Sequence, residues 1–481
     1  MALAEIDRRA AQPRAPRLTQ MPPAARQVLL QSKLPLPVVL YLLAVVLPIG
    51  FNVGPLAMTL LRVMLLIMVL PLFGKLITGK LGRIFLTDIL FFAHIFWATL
   101  ALALNNPNLV VQQIGSVGVE FIGGYLIGRA YIRTPDDFIA LCRMLTIIVC
   151  CTFPLALIET LTGRPVLLET IKQLPGVTTA VFNFQEGRLG LERVQLGFAH
   201  PIHYGLFCAV AFSLTFVGLK DIMQGVNRWL TSAVVGLCGF LALSSGALLA
   251  LALQIGLISW AWLFRKMARR WLLLLGMFML AYVVIDMLSN RTPIQVFMSY
   301  ATFSAHTAYW RGIIFEWGMV NVWANPIFGI GLNDWVRPWY MYSGSMDNFW
   351  LVMAVRYGIP GFLILAVGYV LPLWQIGRRD FSADTIVTKL RLAWMFSFMG
   401  LTFTLTTVHV WTNIYSFVFF MFGAGMWMIL YQSPATKPDE IDGSDSEQNP
   451  QSPIDRLRYT RFQTKRRRET PFVKAADGDG F

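Results

Sequence analysis

The sequence has 481 residues, of which 56% are hydrophobic and 14% are charged, and its formal net charge at pH 7 is +14. Soluble domains carry about 25% charged residues, so this composition excludes an ordinary soluble protein. The excess positive charge lies mostly in short segments beside apolar runs. That placement argues against nucleic acid as a partner and is typical of a topology signal in a membrane protein.

The chain begins with a basic arm, residues 1–34, which contains prolines and lacks hydrophobic periodicity, so we predict a disordered cytoplasmic segment. Apolar runs of about 18 to 22 residues then recur, each long enough to cross a hydrocarbon core of about 30 Å as a helix. Because the runs do not alternate as barrel strands do, helices are the structure that satisfies their backbone in lipid. We therefore predict an all-α, polytopic integral membrane protein, with about twelve transmembrane helices in a membrane domain over 35–431. The predicted helices cover residues 35–51, 56–73, 84–104, 109–128, 138–158, 198–218, 229–243, 247–264, 271–288, 349–376, 392–410 and 414–431.

The charge of the connectors predicts the orientation of these helices. Five connectors hold fifteen lysines and arginines, whereas the four short turns after the first, third, seventh and eleventh helices hold none. Because basic connectors stay in the cytoplasm, we predict cytoplasmic N- and C-termini. Two long loops, at about 159–197 and 289–348, then lie outside, the larger one between helices 9 and 10. The polar residues 432–481 are predicted to form a disordered cytoplasmic tail.

The two outer loops carry charged residues that a membrane protein could avoid, so the candidate site residues come mainly from them. Both loops open on the same side of the membrane and can fold together over one site. The loops contain neither a His-x-x-x-His nor an Asp-x-Asp spacing, so no metal site is predicted. The candidates are Arg193, His200, His203, Arg291, Arg311, Glu316, Arg337, Asp347, Asn348 and, inside the next helix, Arg356.

Short motifs accompany these candidates. The second loop contains Tyr309-Trp310-Arg311-Gly312, Asn325-Pro326-Ile327-Phe328-Gly329-Ile330-Gly331, and Asp347-Asn348-Phe349-Trp350-Leu351. Upstream stand Arg193 with Gly197-Phe198-Ala199-His200-Pro201, and the hairpin Ser244-Ser245-Gly246-Ala247. Together the motifs resemble the O-antigen ligase and polymerase family, which has an arginine before an amphipathic segment, a Pro-x-x-Gly-x-Gly turn and a His-Asn-x-x-Leu step into a helix.

The resemblance implies a multi-pass protein of the bacterial inner membrane that acts on sugar chains carried by a polyprenyl diphosphate. It implies no cofactor, and as partners the lipid-linked glycan, membrane lipids and other polysaccharide-assembly proteins such as a flippase or a chain-length regulator. Arg311 and Arg193 would stabilise the departing diphosphate through bidentate hydrogen bonds. The other candidates would bind substrate, and Asp347 would act as the general base. Two positions depart from the family: Asp347 replaces its loop histidine, and Ser245 replaces its hairpin arginine.

Each candidate also has a structural interpretation. Asp347 can be the N-cap of the helix that follows it, because aspartate is favoured there. Arg311 can orient a surface helix, and Arg193 can anchor a helix end at the membrane interface. His200 and His203, one turn apart, can simply be hydrogen-bonded between helices.

Three functions remain open from the sequence. The first is a polymerase that joins lipid-linked repeat units into exopolysaccharide or O-antigen. The second is a ligase that moves a finished glycan from the polyprenyl carrier to lipid A core or another acceptor. The third is a polysaccharide-related transporter without covalent chemistry.

Overall fold

The computed structural model describes residues 33–54, 56–290, 296 and 305–432. The predicted arm up to residue 32, the predicted tail beyond residue 432 and the candidate Arg291 lie outside these residues. The helices are α1 (Leu36–Val46), α2 (Leu60–Ile77), α3 (Leu86–Asn105), α4 (Pro107–Tyr131), α5 (Pro135–Thr162), α6 (Val166–Lys172), α7 (Pro201–Gly218), α8 (Gly225–Leu241), α9 (Ser245–Leu263), α10 (Arg270–Leu288), α11 (Ala305–Ala324), α12 (Phe349–Arg378), α13 (Thr385–Leu405) and α14 (Thr412–Ile429).

Ten of these helices are long and apolar enough to cross a membrane, namely α2 to α5, α7, α9, α10 and α12 to α14. The described chain is therefore a mostly helical, multi-pass membrane protein, as predicted. Helices α1 and α8 lie where two further crossings were predicted, but they have only 11 and 17 residues. A full crossing takes about 20 residues. Of the twelve predicted crossings, ten thus have full length among the described residues.

The predicted first helix ends at Val46 rather than at residue 51, and a short hairpin follows it. Leu47 is extended, with φ −87° and ψ 112°, because a residue before proline disfavours the helical conformation and Pro48 comes next. Strands β1 (Gly50–Val53) and β2 (Leu56–Thr59) then pair antiparallel. The all-α prediction missed this hairpin because its residues are apolar and continue the hydrophobic run.

The interior of the bundle is built from aromatic side chains of α3, α4, α12 and α14. The ring of Phe91 on α3 lies 5.0 Å from Phe121 on α4 and 5.6 Å from Phe419 on α14. Tyr369 of α12 stacks on Phe422 of α14, with ring centroids 5.1 Å apart. All five side chains are buried, so these rings join the four helices that frame the loop side of the molecule.

Helices α4 and α14 touch backbone to backbone. A Cβ atom on Gly128 of α4 would collide with the Phe420 carbonyl of α14, and a Cβ atom on Gly423 of α14 would collide with the Tyr125 carbonyl of α4. Small residues permit this close approach between membrane helices. We call this contact the glycine seam.

The basic connectors gather at one end of the bundle, here called the basic end. Arg129 donates to the carbonyl of Arg83 (2.9 Å) and lies 3.7 Å from the buried carboxylate of Asp88. Lys389 forms an ion pair with Asp221. The sequence prediction assigns this end to the cytoplasm.

Candidate functional site

The opposite end of the bundle, here called the loop end, brings the two long loops together with the short turns. The amide of Val194, in the first loop, donates to the Leu241 carbonyl at the end of α8 (3.1 Å). The amide of Phe349, after the second loop, donates to the Val408 carbonyl in the turn between α13 and α14 (3.2 Å). The end of each long loop is therefore held by a backbone hydrogen bond to another segment at this end of the bundle.

A buried carboxylate fixes the end of the first loop. Glu159, near the end of α5, accepts hydrogen bonds at Oε1 from the amides of Gln195 (2.7 Å) and Leu196 (3.2 Å). The Gln195 side chain accepts in turn from the amide of Asn183 (3.0 Å). These bonds satisfy the backbone where the loop enters the bundle, and they fix the position of Arg193, two residues earlier.

Two arginines of the first loop lie close together. Arg193 donates to Gln185 Oε1 (3.3 Å), and its Nε has no partner among the described residues. Arg188 donates to the carbonyl of Leu243, in the hairpin before α9 (2.9 Å). Burial, with the neighbouring charge of Arg188, lowers the pKa of Arg193 to about 10. The fold thus holds two positive charges together, an arrangement that attracts an anion.

Helix α12 is broken at Gly358, and the second loop binds into the break. Gly358 has φ 73° and ψ 177°, a conformation open essentially to glycine alone. The amide of Ile359 turns away from its own helix and donates to the Pro326 carbonyl (2.8 Å). Pro360 has no amide hydrogen to donate. Neither Ile359 nor Pro360 therefore donates to the helical carbonyl four residues earlier, so two carbonyls of α12 need other partners.

The turn of the second loop satisfies those free carbonyls. In an unbroken helix, Val355 and Arg356 would accept from the amides four residues later. Here they accept from the amides of Ile330 (2.9 Å) and Gly331 (3.0 Å). A Cβ atom on Gly329 would collide with the Val355 carbonyl, so the turn can dock only with glycine there. The Pro-x-x-Gly-x-Gly motif therefore supplies the hydrogen bonds that the broken helix lacks.

The start of α12 places an acid at the loop end. Asn348 caps this helix, because its Oδ1 accepts from the amide of Leu351 (3.1 Å). The alternative that Asp347 is the cap is therefore wrong. Asp347 is exposed, and its carboxylate accepts a hydrogen bond from the hydroxyl of Ser345 (2.9 Å). This carboxylate is accessible to a substrate hydroxyl from solvent.

Arg311 connects the two loops electrostatically. It lies on the buried face of α11, with 9% of its surface exposed, and its Nε has no hydrogen-bond partner among the described residues. Burial lowers the pKa of Arg311, the nearby carboxylate of Asp347 raises it, and the charge of Arg188 lowers it further. Arg311 is thus close to both the acid of the second loop and an arginine of the first. We call Arg188, Arg193 and Arg311 the arginine cluster.

Three histidines surround Trp411 beside the arginine cluster. The ring centroids of His203, His200 and His409 lie 4.1, 6.1 and 5.9 Å from Trp411. The Nδ1 atom of His200 accepts from the backbone amide two residues later (3.1 Å), so this neutral ring carries its proton on Nε2. Burial, with the charge of Arg193, lowers the pKa of His200 to about 4. His200 is therefore uncharged at neutral pH and leaves the positive charge to the arginines.

The structure places the other sequence-predicted residues apart from the arginine cluster. Arg337 is engaged within its own loop, where it forms an ion pair with Asp334 and lies over the ring of Trp335, 5.9 Å from its centroid. Glu316 is on the exposed face of α11. Arg356 lines a cavity together with Trp411 and His409.

Sequence reasoning did not select Arg188. It lies in a turn closed by reciprocal backbone hydrogen bonds with Leu191 (2.9 and 3.0 Å), with Gly190 at φ 76°. The signal in the sequence was the segment Gly-Arg-Leu-Gly, because paired glycines are typical of a turn that presents the side chain between them. The contact with Leu243, which brings Arg188 to the site, cannot be inferred from the sequence.

The loop end thus combines three guanidinium groups, one accessible carboxylate and an uncharged His200. Such a site can bind a multivalent anion through bidentate hydrogen bonds and can accept a proton on the carboxylate. In the part of the chain that the structure describes, no three or more His, Cys, Asp or Glu residues are grouped so as to hold a metal ion.

A family model described as O-antigen ligase (Wzy_C) matches residues 230–366. The match confirms the resemblance to the O-antigen ligase-like family and supports a membrane function of the ligase or polymerase type. It covers Arg311, Asp347 and the docked turn, whereas Arg188 and Arg193 precede it. A comparison with curated proteins found no match.

Proposed function

We propose that this chain is a membrane glycosyltransferase that polymerises polyprenyl-diphosphate-linked oligosaccharide repeat units into exopolysaccharide or O-antigen. The observation that carries the proposal is that Arg311, a buried arginine of the second loop region, interacts electrostatically with the carboxylate of Asp347 and with Arg188 of the first loop, which in turn lies near Arg193. Glycosyl transfer from a lipid diphosphate requires a cationic site for the leaving group and a base for the attacking hydroxyl. The loop end provides both.

The proposed reaction forms one glycosidic bond and breaks one bond to phosphate. A hydroxyl oxygen of the acceptor sugar attacks the anomeric carbon of the donor glycan. The bond between that carbon and the diphosphate oxygen breaks, and the polyprenyl diphosphate leaves with the electron pair. The hydroxyl proton passes to the Asp347 carboxylate, so atoms and charge balance without a further reactant.

The arginine cluster stabilises the negative charge that develops on the departing diphosphate. A charge-stabilising donor of this kind typically contributes about 100- to 1,000-fold to the rate. Arg311 suits this role because it is buried and because its Nε has no hydrogen-bond partner among the described residues. Buried cations are normally paired, so a bound diphosphate would supply the missing acceptor oxygens.

Asp347 is proposed as the general base because it is an exposed carboxylate near Arg311. A base must reach the proton it removes within about 2.6 to 3.2 Å, and an exposed side chain can adjust to an incoming sugar. The hydrogen bond from Ser345 (2.9 Å) orients one carboxylate oxygen and leaves the other for the acceptor.

A ligase is the second candidate, and the family description favours it. It would use the same diphosphate site and the same base, but its acceptor would be lipid A core or another non-prenyl acceptor. Either enzyme would act in the bacterial inner membrane, together with the flippase that supplies its substrate. The two differ in the second substrate alone.

The test is glycan synthesis by the purified chain, supplied with lipid-linked repeat units in nanodiscs. We expect ladders of lipid-linked polymer, and we expect Arg311→Gln and Asp347→Asn each to lower the initial rate about 100-fold or more. Arg164→Gln is the matched control, because Arg164 is an exposed arginine of the first loop region, paired with Glu169.

The outcomes separate the candidates. Polymer without any added acceptor supports the polymerase. Transfer only when a lipid A core acceptor is added, with no polymer in its absence, supports the ligase instead. Rates unchanged by both substitutions, in protein that folds normally, would show that the site is assigned wrongly.

A further inference from the structure

A second cavity lies at the loop end, and Trp411 forms part of its wall. It is lined by residues of α3, α4, α12 and the turn between α13 and α14, and its volume is about 60 Å³. One water molecule needs about 10 to 15 Å³ of cavity volume, so this cavity has room for about four to six water-sized groups. That is the size of one phosphoryl group with its oxygens.

Arg356 provides the positive charge of this cavity. Its carbonyl accepts a hydrogen bond from the amide of Gly331 (3.0 Å). The docked turn of the second loop therefore fixes the backbone position of Arg356. Neither a hydrogen bond nor an ion pair joins its guanidinium to any residue of the described ranges. A partly buried cation without a counter-charge favours an anionic ligand.

His409 provides a second polar group in the same cavity. Its Nδ1 is buried and lacks a hydrogen-bond partner among the described residues. Its ring stacks on Phe349, with centroids 6.1 Å apart, so it cannot easily turn toward solvent. Burial, with the charge of Arg356, lowers the pKa of His409 to about 3. The neutral ring always has one N–H to donate to an anion.

One part of the cavity wall has an unusual backbone. The cavity is lined there by Ile114, Val117 and Gly118, which belong to the π-helical segment Ile114–Gly118 of α4. Single π-helical turns inside α-helices occur frequently at functional sites. The π-helical segment and Arg356 therefore line the same cavity.

We propose that the Arg356 cavity is a second anion site, which binds a phosphate of a second lipid-linked saccharide while the arginine cluster binds the first. The proposal rests on the proposed function and makes it more specific. When repeat units are polymerised, donor and acceptor both carry a polyprenyl diphosphate, so two cationic sites are needed. When a glycan is ligated to an acceptor without a diphosphate, one site suffices.

The test counts diphosphates on the full-length chain in detergent, by equilibrium binding of farnesyl diphosphate, a short soluble prenyl diphosphate. We expect two sites per chain in the wild type. Arg356→Gln should leave one site and weaken the other at least 10-fold, and Arg311→Gln should leave the site at Arg356. His409→Phe keeps the ring that stacks on Phe349, and it should weaken the same site as Arg356→Gln. Thermal unfolding identifies any variant that fails to fold.

Further ligands identify what the cavity recognises. Inorganic pyrophosphate competing at both sites would indicate that phosphate charge dominates, whereas binding of farnesyl diphosphate alone would indicate a lipid headgroup. Farnesol is the uncharged control, and Arg164→Gln is the protein control on the same end of the bundle.

Binding is measured without turnover, so its result does not depend on glycan synthesis. One diphosphate per chain in the wild type, or two bound with wild-type affinity in Arg356→Gln, would overturn the second site. Absence of polymer synthesis together with two binding sites would instead overturn the proposed function and leave the second site standing.

Discussion

Replacing Gly358 by alanine should release the turn of the second loop from α12. Gly358 has φ 73° and ψ 177°, and placing a residue with a Cβ atom in this region costs about 1 to 3 kcal/mol. A Cβ atom there would also collide with the carbonyl of Ile327. The backbone of the turn must therefore move.

The movement breaks the three hydrogen bonds that dock the turn. They are the bonds to the carbonyls of Pro326 (2.8 Å), Val355 (2.9 Å) and Arg356 (3.0 Å). Each contributes about 0.5 to 1.5 kcal/mol net, so the three contribute about 3 kcal/mol together. With the backbone strain, we expect a destabilisation of about 4 to 6 kcal/mol, which is exceptional for one substitution.

The assays are thermal unfolding in detergent and limited proteolysis of residues 325–331. We expect a lower unfolding midpoint and rapid cleavage in that turn, together with loss of polymer synthesis, because Arg311 and Asp347 flank it. Gly276→Ala, on the fully exposed helix α10, is the control, since a Cβ atom there meets nothing within 4 Å. A wild-type midpoint and full protection of the turn in Gly358→Ala would refute the reasoning.

Three further predictions concern the same end of the bundle. Asn348→Ala removes the cap of α12 and should lower the free energy of unfolding by about 1 kcal/mol, whereas Asn348→Asp should restore it; chemical denaturation in detergent measures both. The folded protein holds His409 neutral, with a pKa of about 3 against about 6.5 when unfolded, so the unfolded state binds more protons below pH 6.5. The titration of His409 should therefore lower stability as pH drops from about 6.5 toward 3, by up to about 1.4 kcal/mol per pH unit, and His200 adds a like contribution; His409→Phe should reduce the slope of stability against pH in unfolding scans. Glu120→Ala removes the buried carboxylate that accepts from Arg62 Nε at 2.8 Å, and it should lower the unfolding midpoint more than Glu169→Ala at the exposed pair, since exposed pairs contribute only about 0 to 1 kcal/mol; equal midpoints for the two variants would contradict this.

Hydropathy predicted the membrane helices well, because a helix that crosses lipid must be apolar along its whole length. The same signal failed at α1, where residues 47–59 are as apolar as a helix but Pro48 diverts them into a hairpin. Composition cannot distinguish an apolar strand pair from the end of a transmembrane helix. Because a residue before proline disfavours the helical conformation, Pro48 could have been used to predict the end of the helix. Nothing in the sequence predicted that β1 pairs with β2.

The candidate site was predicted in part. Arg193, Arg311 and Asp347 were selected from motifs; in the structure Arg311 interacts electrostatically with Asp347, and both Arg311 and Arg193 interact with Arg188. Arg337 was selected on charge alone, yet its partner Asp334 lies three residues away and binds it locally. Arg188 was not selected as a site residue because its position depends on a contact with Leu243, 55 positions later. Long-range contacts of this kind leave no trace in a single sequence.

The glycine seam between α4 and α14 limits how the protein can change shape. The wall of the Arg356 cavity is formed on one side by α4 and on the other by residues 409–412, which lead into α14. Because Gly128 and Gly423 lock those two helices at backbone distance, they cannot slide apart to admit a bulky group. We therefore expect the motion that lets a lipid headgroup in or out to come from the other helices of the wall, above all from α12 and the turn docked on it. Turnover would then depend on how often that turn lifts, so mutations there should change the rate of product release more than the affinity for substrate.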